Sequence, residues 1–212
     1  MRKTLDEQLE MLNDELIKMG SYCETAISAA IKSITEDSSF VEKAFAADSE
    51  IDKLERDIED ICMKLLLRQQ PVARDLRTIS SALKMISDME RIGDQASDIA
   101  EMAEYVKGHT SPGGVDIREM ASQVIKMVSE SIDSFVHKDL SLAHNVIVYD
   151  DVVDNSFRSI KSELVRLIAS GHKDGEYLVD LLMIAKYLER IGDHATNIAE
   201  WVEFSITGEH ID

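Results

Sequence analysis

The chain has 212 residues, with 23 Lys plus Arg against 41 Asp plus Glu and a formal charge of −18; a surface this acidic repels a nucleic-acid backbone. No window approaches the run of about eighteen apolar residues that a spanning helix needs. Two prolines and nine glycines leave little turn material for a sheet, while the abundance of Ala, Leu, Ile, Met, Glu and Lys suits long helices, so the expected class is all-α.

Leu9, Leu12, Leu16, Met19, Cys23, Ala26, Ala30 and Ile34 recur at spacings of three and four, which predicts a helix from about Leu5 to Ile34 with one buried stripe. Asp37-Ser38-Ser39 supplies capping residues, and a second stripe, Ile51, Leu54, Ile58, Cys62 and Leu65, runs on to Gln70, where Pro71 stops it. The third segment spans about Asp75 to Lys107 and ends at Gly108. Arg74 and Arg77 mark its start as a basic spot on an acidic chain. Salt bridges to nearby acids are the ordinary explanation for such a pair, and contact with an acidic partner surface is the functional one.

Residues 108–114, Gly-His-Thr-Ser-Pro-Gly-Gly, are the longest loop-like cluster and fall near the middle of the chain. They divide it into a first bundle (1–108), a linker (109–114) and a second bundle (115–212). Gly108 and Gly113 have the glycine spacing of a phosphate-binding loop, but Gly114 and Val115 follow instead of Lys and Ser/Thr, and no strand precedes them, which excludes a nucleotide site there. The pattern then repeats as Ile117–Val136, Leu140–Ser170 with a stop at Gly171, and Gly175–Thr207 with a stop at Gly208. The expected fold is two tandem three-helix bundles, six long antiparallel helices related by internal duplication, each helix of thirty residues ~45 Å long. Cys23 and Cys62 form no Cys-x-x-Cys pair, and no secretory leader is recognisable, so a cytoplasmic protein with reduced thiols is expected.

The duplication is most explicit in residues 90–101 and 189–200, which agree at nine of twelve positions at an offset of 99. At ~100° per residue, Glu90, Asp94, Asp98 and Glu101 form one acidic stripe opposite Met89, Ile92, Ala96, Ile99 and Ala100, and Glu189, Asp193, Asn197 and Glu200 repeat it. Like charges four residues apart destabilise a helix, so a cation is expected near each stripe. Gly93 and Gly192 lie mid-helix, where glycine costs about 0.5 to 1 kcal/mol relative to alanine; each calls for close approach of its backbone, by a packed helix or by a ligand. A quieter repeat, Asp48-x-x-x-Asp52 and Asp150-x-x-x-Asp154, recurs at an offset of 102. If neighbouring helices present both motifs, four or more carboxylates converge in each half, a donor set suited to Mg2+, Mn2+, Ca2+ or iron.

A ferritin-like oxidase centre is excluded, because no histidine has a glutamate three residues before it. His194 reads as incidental, since Gln95 stands at its place in the first copy. No Ser/His/Asp or Cys/His arrangement stands out, so no enzyme is expected; a metal-dependent hydrolase or oxidase is the weaker alternative.

These residues resemble the PhoU family of bacterial accessory and regulatory proteins of phosphate-specific transport. The resemblance covers essentially the whole chain, and its carriers are Gln70-Pro71-Val72-Ala73-Arg74-Asp75-Leu76-Arg77, Met89-Glu90-Arg91-Ile92-Gly93-Asp94 and Leu188-Glu189-Arg190-Ile191-Gly192-Asp193-His194-Ala195 with Asn197-Ile198-Ala199-Glu200. It implies surface clusters of divalent or trivalent metal ions (iron, Mn, Mg or Zn), held by Asp48, Asp52, Glu90 and Asp94 in the first half and by Asp150, Asp154, Glu189 and Asp193 in the second. Asp98, where the second copy has Asn197, makes the first site the more acidic. The resemblance further implies a negative regulator of the phosphate-starvation response, a homodimer that reaches the membrane only through its partners, the phosphate ABC transporter's ATPase subunit and a sensor histidine kinase. The alternative is an accessory protein of another ion or phosphate transporter without kinase control.

Overall fold

The structure is a computed structural model that describes residues 2–68, 71–106, 109 and 115–209. The expected helix ends at Gln70 and at Lys107–Gly108, and linker residues 110–114, lie outside them. Six long helices carry the fold: α1 (Arg2–Thr35), α2 (Phe40–Arg68), α3 (Ala73–Glu101), α5 (Ile117–His137), α6 (Leu140–Ala169) and α7 (Gly175–Thr207), with a single turn, α4 (Ala103–Val106), after α3. No strand occurs among the described residues.

Local chemistry sets the ends. Asp116, Asp139 and Asp174 accept the N–H groups of Glu119, Leu142 and Tyr177 at 3.0, 3.0 and 3.2 Å, capping α5, α6 and α7. Gly208, at φ 80°, closes α7 in the left-handed conformation that glycine tolerates best. The third predicted helix does not run unbroken. Met102 N–H bonds to Ile99 O at 3.2 Å and Tyr105 N–H to Met102 O at 3.1 Å, three-residue steps that tighten the chain. The turn that follows buries both Ala103 and Val106, and packs on α1 and α7.

Each half forms the expected three-helix bundle, α1–α2–α3 and α5–α6–α7, but the bundles also pack side by side, α1 on α5 and α3 on α7. The buried apolar side chains of both halves make one continuous cluster. α2 and α6 flank a central layer of four helices. The reason lies in α3, which is buried on two faces. Gly93 turns towards Asp48 and Ile51 of α2, and on a helical wheel Ala82, Ile86, Met89, Ala96 and Ala100 share its sector. Asp88 instead touches α7, and the buried residues Ser81, Met85, Ile92, Gln95 and Ile99 share that sector.

α3 and α7 cross as a pseudo-twofold pair. Asp88 Oδ1 accepts from Asn197 Nδ2 at 3.0 Å and meets His194 Nδ1 at 2.9 Å, while the equivalents of Asp88 and Asn197, Tyr187 and Asp98, face each other, the Tyr187 hydroxyl opposing the upward push of burial on the Asp98 carboxyl. The pairing runs antiparallel, and His194 therefore holds the seam between the bundles.

Candidate functional site

The repeated carboxylates gather where α2 meets α3 and where α6 meets α7. Asp48 and Asp52 on α2 face Glu90, Asp94 and Asp98 on α3. Burial first of all, and then the charges of Asp52, Asp94 and Asp98, pushes the Asp48 carboxyl above the usual aspartate range, with the Ser97 hydroxyl acting the other way. Glu90 is raised by burial and by Asp94, Glu55 and Asp52, and Asp98 by burial, Glu101 and Asp94. In the second half, burial and then Asp193 and Asp154 push Asp150 up to about 6, while burial and Glu189 raise Asp193. Mutual repulsion in a half-buried groove thus makes the charged state of each cluster costly.

The two clusters share a further pair of residues that the repeat contains but that the carboxylate pattern does not single out. Ser97 and Thr196 occupy equivalent positions beside Asp48 and Asp150. Each hydroxyl interacts with its aspartate and opposes the upward push of burial, but neither makes a hydrogen bond of good geometry, and Asp48 Oδ1 is itself buried without one. The signal available in the sequence is the small hydroxyl residue three places after Asp94 and Asp193.

Gly93 and Gly192 give these aspartates their access. A Cβ on Gly93 would stand 2.5 Å from Asp48 Oδ1 and 3.0 Å from Ile51 Cδ1, while on Gly192 the nearest atoms are Val153 Cγ1 at 3.3 Å and Asp150 Oδ1 at 3.5 Å. The first copy is the tighter. Gly93→Ala is expected to destabilise the protein by about 1 to 2 kcal/mol, the overpacking cost outweighing alanine's helical advantage, whereas Gly192→Ala stays within about 0.5 kcal/mol of wild type. Urea unfolding of the two variants checks this; equal effects would contradict the asymmetry.

The oxygen donors suit a hard cation, and the unpartnered Asp48 Oδ1 and the raised carboxyls are what a cation would relieve. Yet among the described residues no group of three or more acids, histidines or thiols converges closely enough to hold an ion as it stands. Cations of the protein already engage three of the acids. Arg158 is paired with Asp154, Lys186 with Glu189, and Arg91 Nε lies 3.6 Å from Glu90 Oε2. Metal ligation by the sequence-derived set therefore requires Arg158, Lys186 and Arg91 to release their partners. Lys186 also lies 5.4 Å from the centroid of the Phe157 ring, which lets a neutral, flexible side chain keep its packing. Lys186→Met is expected to tighten Mn2+ binding at the second site about two- to fivefold, measured calorimetrically; unchanged affinity would show that the pair does not compete with metal.

The fold and the paired grooves define a class, duplicated three-helix-bundle proteins with a Glu-x-x-x-Asp motif on the last helix of each half. A family model described as the PhoU domain matches residues 16–103 and again 117–202. The chain is 35% identical to a Clostridium acetobutylicum protein named phosphate-specific transport system accessory protein PhoU homolog, over 100% of the chain and 98% of that relative, and 36% identical to the Pseudomonas aeruginosa homolog of the same name, over 96% and 86%. The crystal structure of PhoU from Pseudomonas aeruginosa superimposes with a TM-score of 0.90, covering 96% of this chain and 99% of that one. The fold also matches a regulatory protein PhoU from Streptococcus pneumoniae, at a TM-score of 0.89 and 24% identity. The chain belongs to the PhoU family. No described helix is long and apolar enough to cross a membrane.

Proposed function

We propose that the protein is a non-enzymatic accessory protein of a phosphate-specific transport system, working in the cytoplasm as a homodimer. It links the ATPase subunit of the phosphate ABC transporter to a sensor histidine kinase and holds the phosphate-starvation response down when phosphate is plentiful. The two carboxylate grooves take up divalent or trivalent metal, with Asp48, Asp52, Glu90 and Asp94 as donors in the first and Asp150, Asp154, Glu189 and Asp193 in the second. The observation that carries this reading is kinship along the full chain with relatives named as accessory proteins of that transport system. In support, the long helical faces offer docking surface, and metal would relieve the repulsion within each groove.

A pull-down tests the adaptor role. The protein is expected to retain both the transporter ATPase subunit and the kinase, and failure to hold either, with and without metal, would overturn it. Metal content after purification without chelator tests the grooves separately. Glu90→Ala/Asp94→Ala/Glu189→Ala/Asp193→Ala is expected to lose the bound metal while keeping its helicity; equal content in wild type and variant would sink the metal assignment alone.

A further inference from the structure

A basic cavity opens at one end of the seam between the bundles, where α3 begins and α5 and α7 end. Its volume is about 390 Å3, and Arg74, Arg77, Thr78, Lys138, Ser205 and Ile206 line it. That size lies within the range of small-ligand sites, roughly 300–1,000 Å3. Three cations lining one cavity are unexpected in a chain of formal charge −18.

Salt bridging, the ordinary explanation for Arg74 and Arg77, does not account for them. Among the described residues Arg74, Arg77 and Lys138 have no ion pair, although eight other Lys or Arg side chains, such as Arg166 with Glu163, are paired with a carboxylate. Arg77 Nε is buried with no hydrogen-bond partner. Its guanidinium lies beside the α7 terminus, where a Cβ on Gly208 would stand 3.4 Å from Nη1. Asp75 borders the adjoining recess, but its carboxylate accepts the Val72 N–H at 3.2 Å. Val72, at the N-cap of α3, offers no side-chain acceptor, which leaves first-turn N–H groups of α3 open at the same end.

The duplication supplies an internal comparison. At the offset of 99, Arg74 and Arg77 correspond to Lys173 and Glu176, and Asp75 to Asp174. That corner is charge-balanced, with His109 Nε2 2.6 Å from Asp174 Oδ2. Lys138, directly before the Asp139 cap of α6, corresponds to Ser38 before α2. All three cations belong to one end of the molecule.

We propose that this cavity is an oxyanion site, in which the Arg74 and Arg77 guanidiniums and the Lys138 ammonium bind a phosphate group through charge-assisted hydrogen bonds. Guanidinium groups match the tetrahedral oxygens in bidentate fashion. The site is separate from the carboxylate grooves and does not depend on the adaptor reading.

Inorganic phosphate titrated into chelator-treated, full-length protein in low-salt, sulfate-free buffer tests it. Saturable binding is expected, weakened about tenfold or more in Arg77→Gln. Lys138→Gly is the variant that secures the fold: Lys138 holds φ 54°, so glycine removes the charge and suits the backbone. Lys173→Gln, at the equivalent corner, leaves the affinity unchanged. Flotation with phosphatidylglycerol vesicles, against phosphatidylcholine vesicles as blank, separates the two sources of the group. Binding of free phosphate without flotation assigns a free ion, and Arg77-dependent flotation without free-phosphate binding assigns a lipid headgroup. Absence of both, or phosphate binding that Arg77→Gln and Lys138→Gly leave intact, overturns the site.

Discussion

Asp150→Asn will stabilise the metal-free protein above neutral pH and leave it unchanged in acid. Burial and the charges of Asp193 and Asp154 push the Asp150 carboxyl from its ordinary 3.8 up to about 6 in the folded protein. A group that binds its proton more tightly when folded favours the folded state while protonated, and that advantage is lost as pH rises through the folded value. Below about pH 4 both states are protonated and the substitution has nothing to relieve. Between about pH 4 and 6 the wild-type penalty grows, and above about pH 7 it is complete. Allowing for the solvent that still reaches the groove, the gain near pH 8 is about 1 to 3 kcal/mol, or about 2 to 12 °C in the thermal midpoint. Circular dichroism melts in chelator across the pH range measure it. Adding Mn2+ is expected to reverse the order, because the wild type is then stabilised by ligation and the variant has lost a donor. A variant no more stable than wild type at high pH would mean that the groove carries no stored repulsion, and the physical case for a cation there would fall.

That stored repulsion also marks how far the residues could be understood before the fold was known. The Glu-Arg-Ile-Gly-Asp repeat and the Asp-x-x-x-Asp pairs place carboxylates correctly on α3, α7, α2 and α6, because a period of 3.6 fixes which residues share a helical face. It does not say what stands opposite. Gly93 admits Asp48 and Ile51, and Gly192 admits Val153 and Asp150, all on the neighbouring helix, so the packed helix accounts for both glycines. The acidic stripe faces water at Asp94 and Glu101, while Glu90 and Asp98 are partly covered by neighbouring helices. Lys186 and Arg158 sit three and four residues from their acids, a spacing visible in the chain, but only the side-chain geometry shows that Glu189 and Asp154 are paired with them. Gln95 is the clearest case. Its burial at 4% exposure belongs to a second inward face of α3 that a single-stripe pattern conceals, and the break at Met102 likewise depends on contacts with α1 and α7.

The second inward face predicts that neither half is a folding unit. Residues 1–108 and 115–212, expressed separately, are each expected to be poorly folded or self-associated, and to regain native helicity as a one-to-one complex when mixed. The seam consists of α1 on α5 and α3 on α7, with Gly20 of α1 admitting Ile132 of α5 at contact distance. Separation exposes Met85, Ile92 and Ile99 on α3 and the matching residues of α7, all fully buried in the intact chain. At about 1.5 to 3 kcal/mol for each large apolar side chain returned to water, the loss from one helix alone approaches the roughly 5–15 kcal/mol that holds a whole domain together. Asp88 would also lose His194 and Asn197. The same argument requires the intact protein to unfold in one transition, since the two bundles have no separate cores to melt one after the other. Two resolved calorimetric transitions, or a monomeric first half with a sharp melt of its own, would show that the duplicated bundles are only neighbours; a single transition, with helicity restored on mixing the halves, would show that duplication produced one core from two copies of a unit too small to keep its inward faces dry.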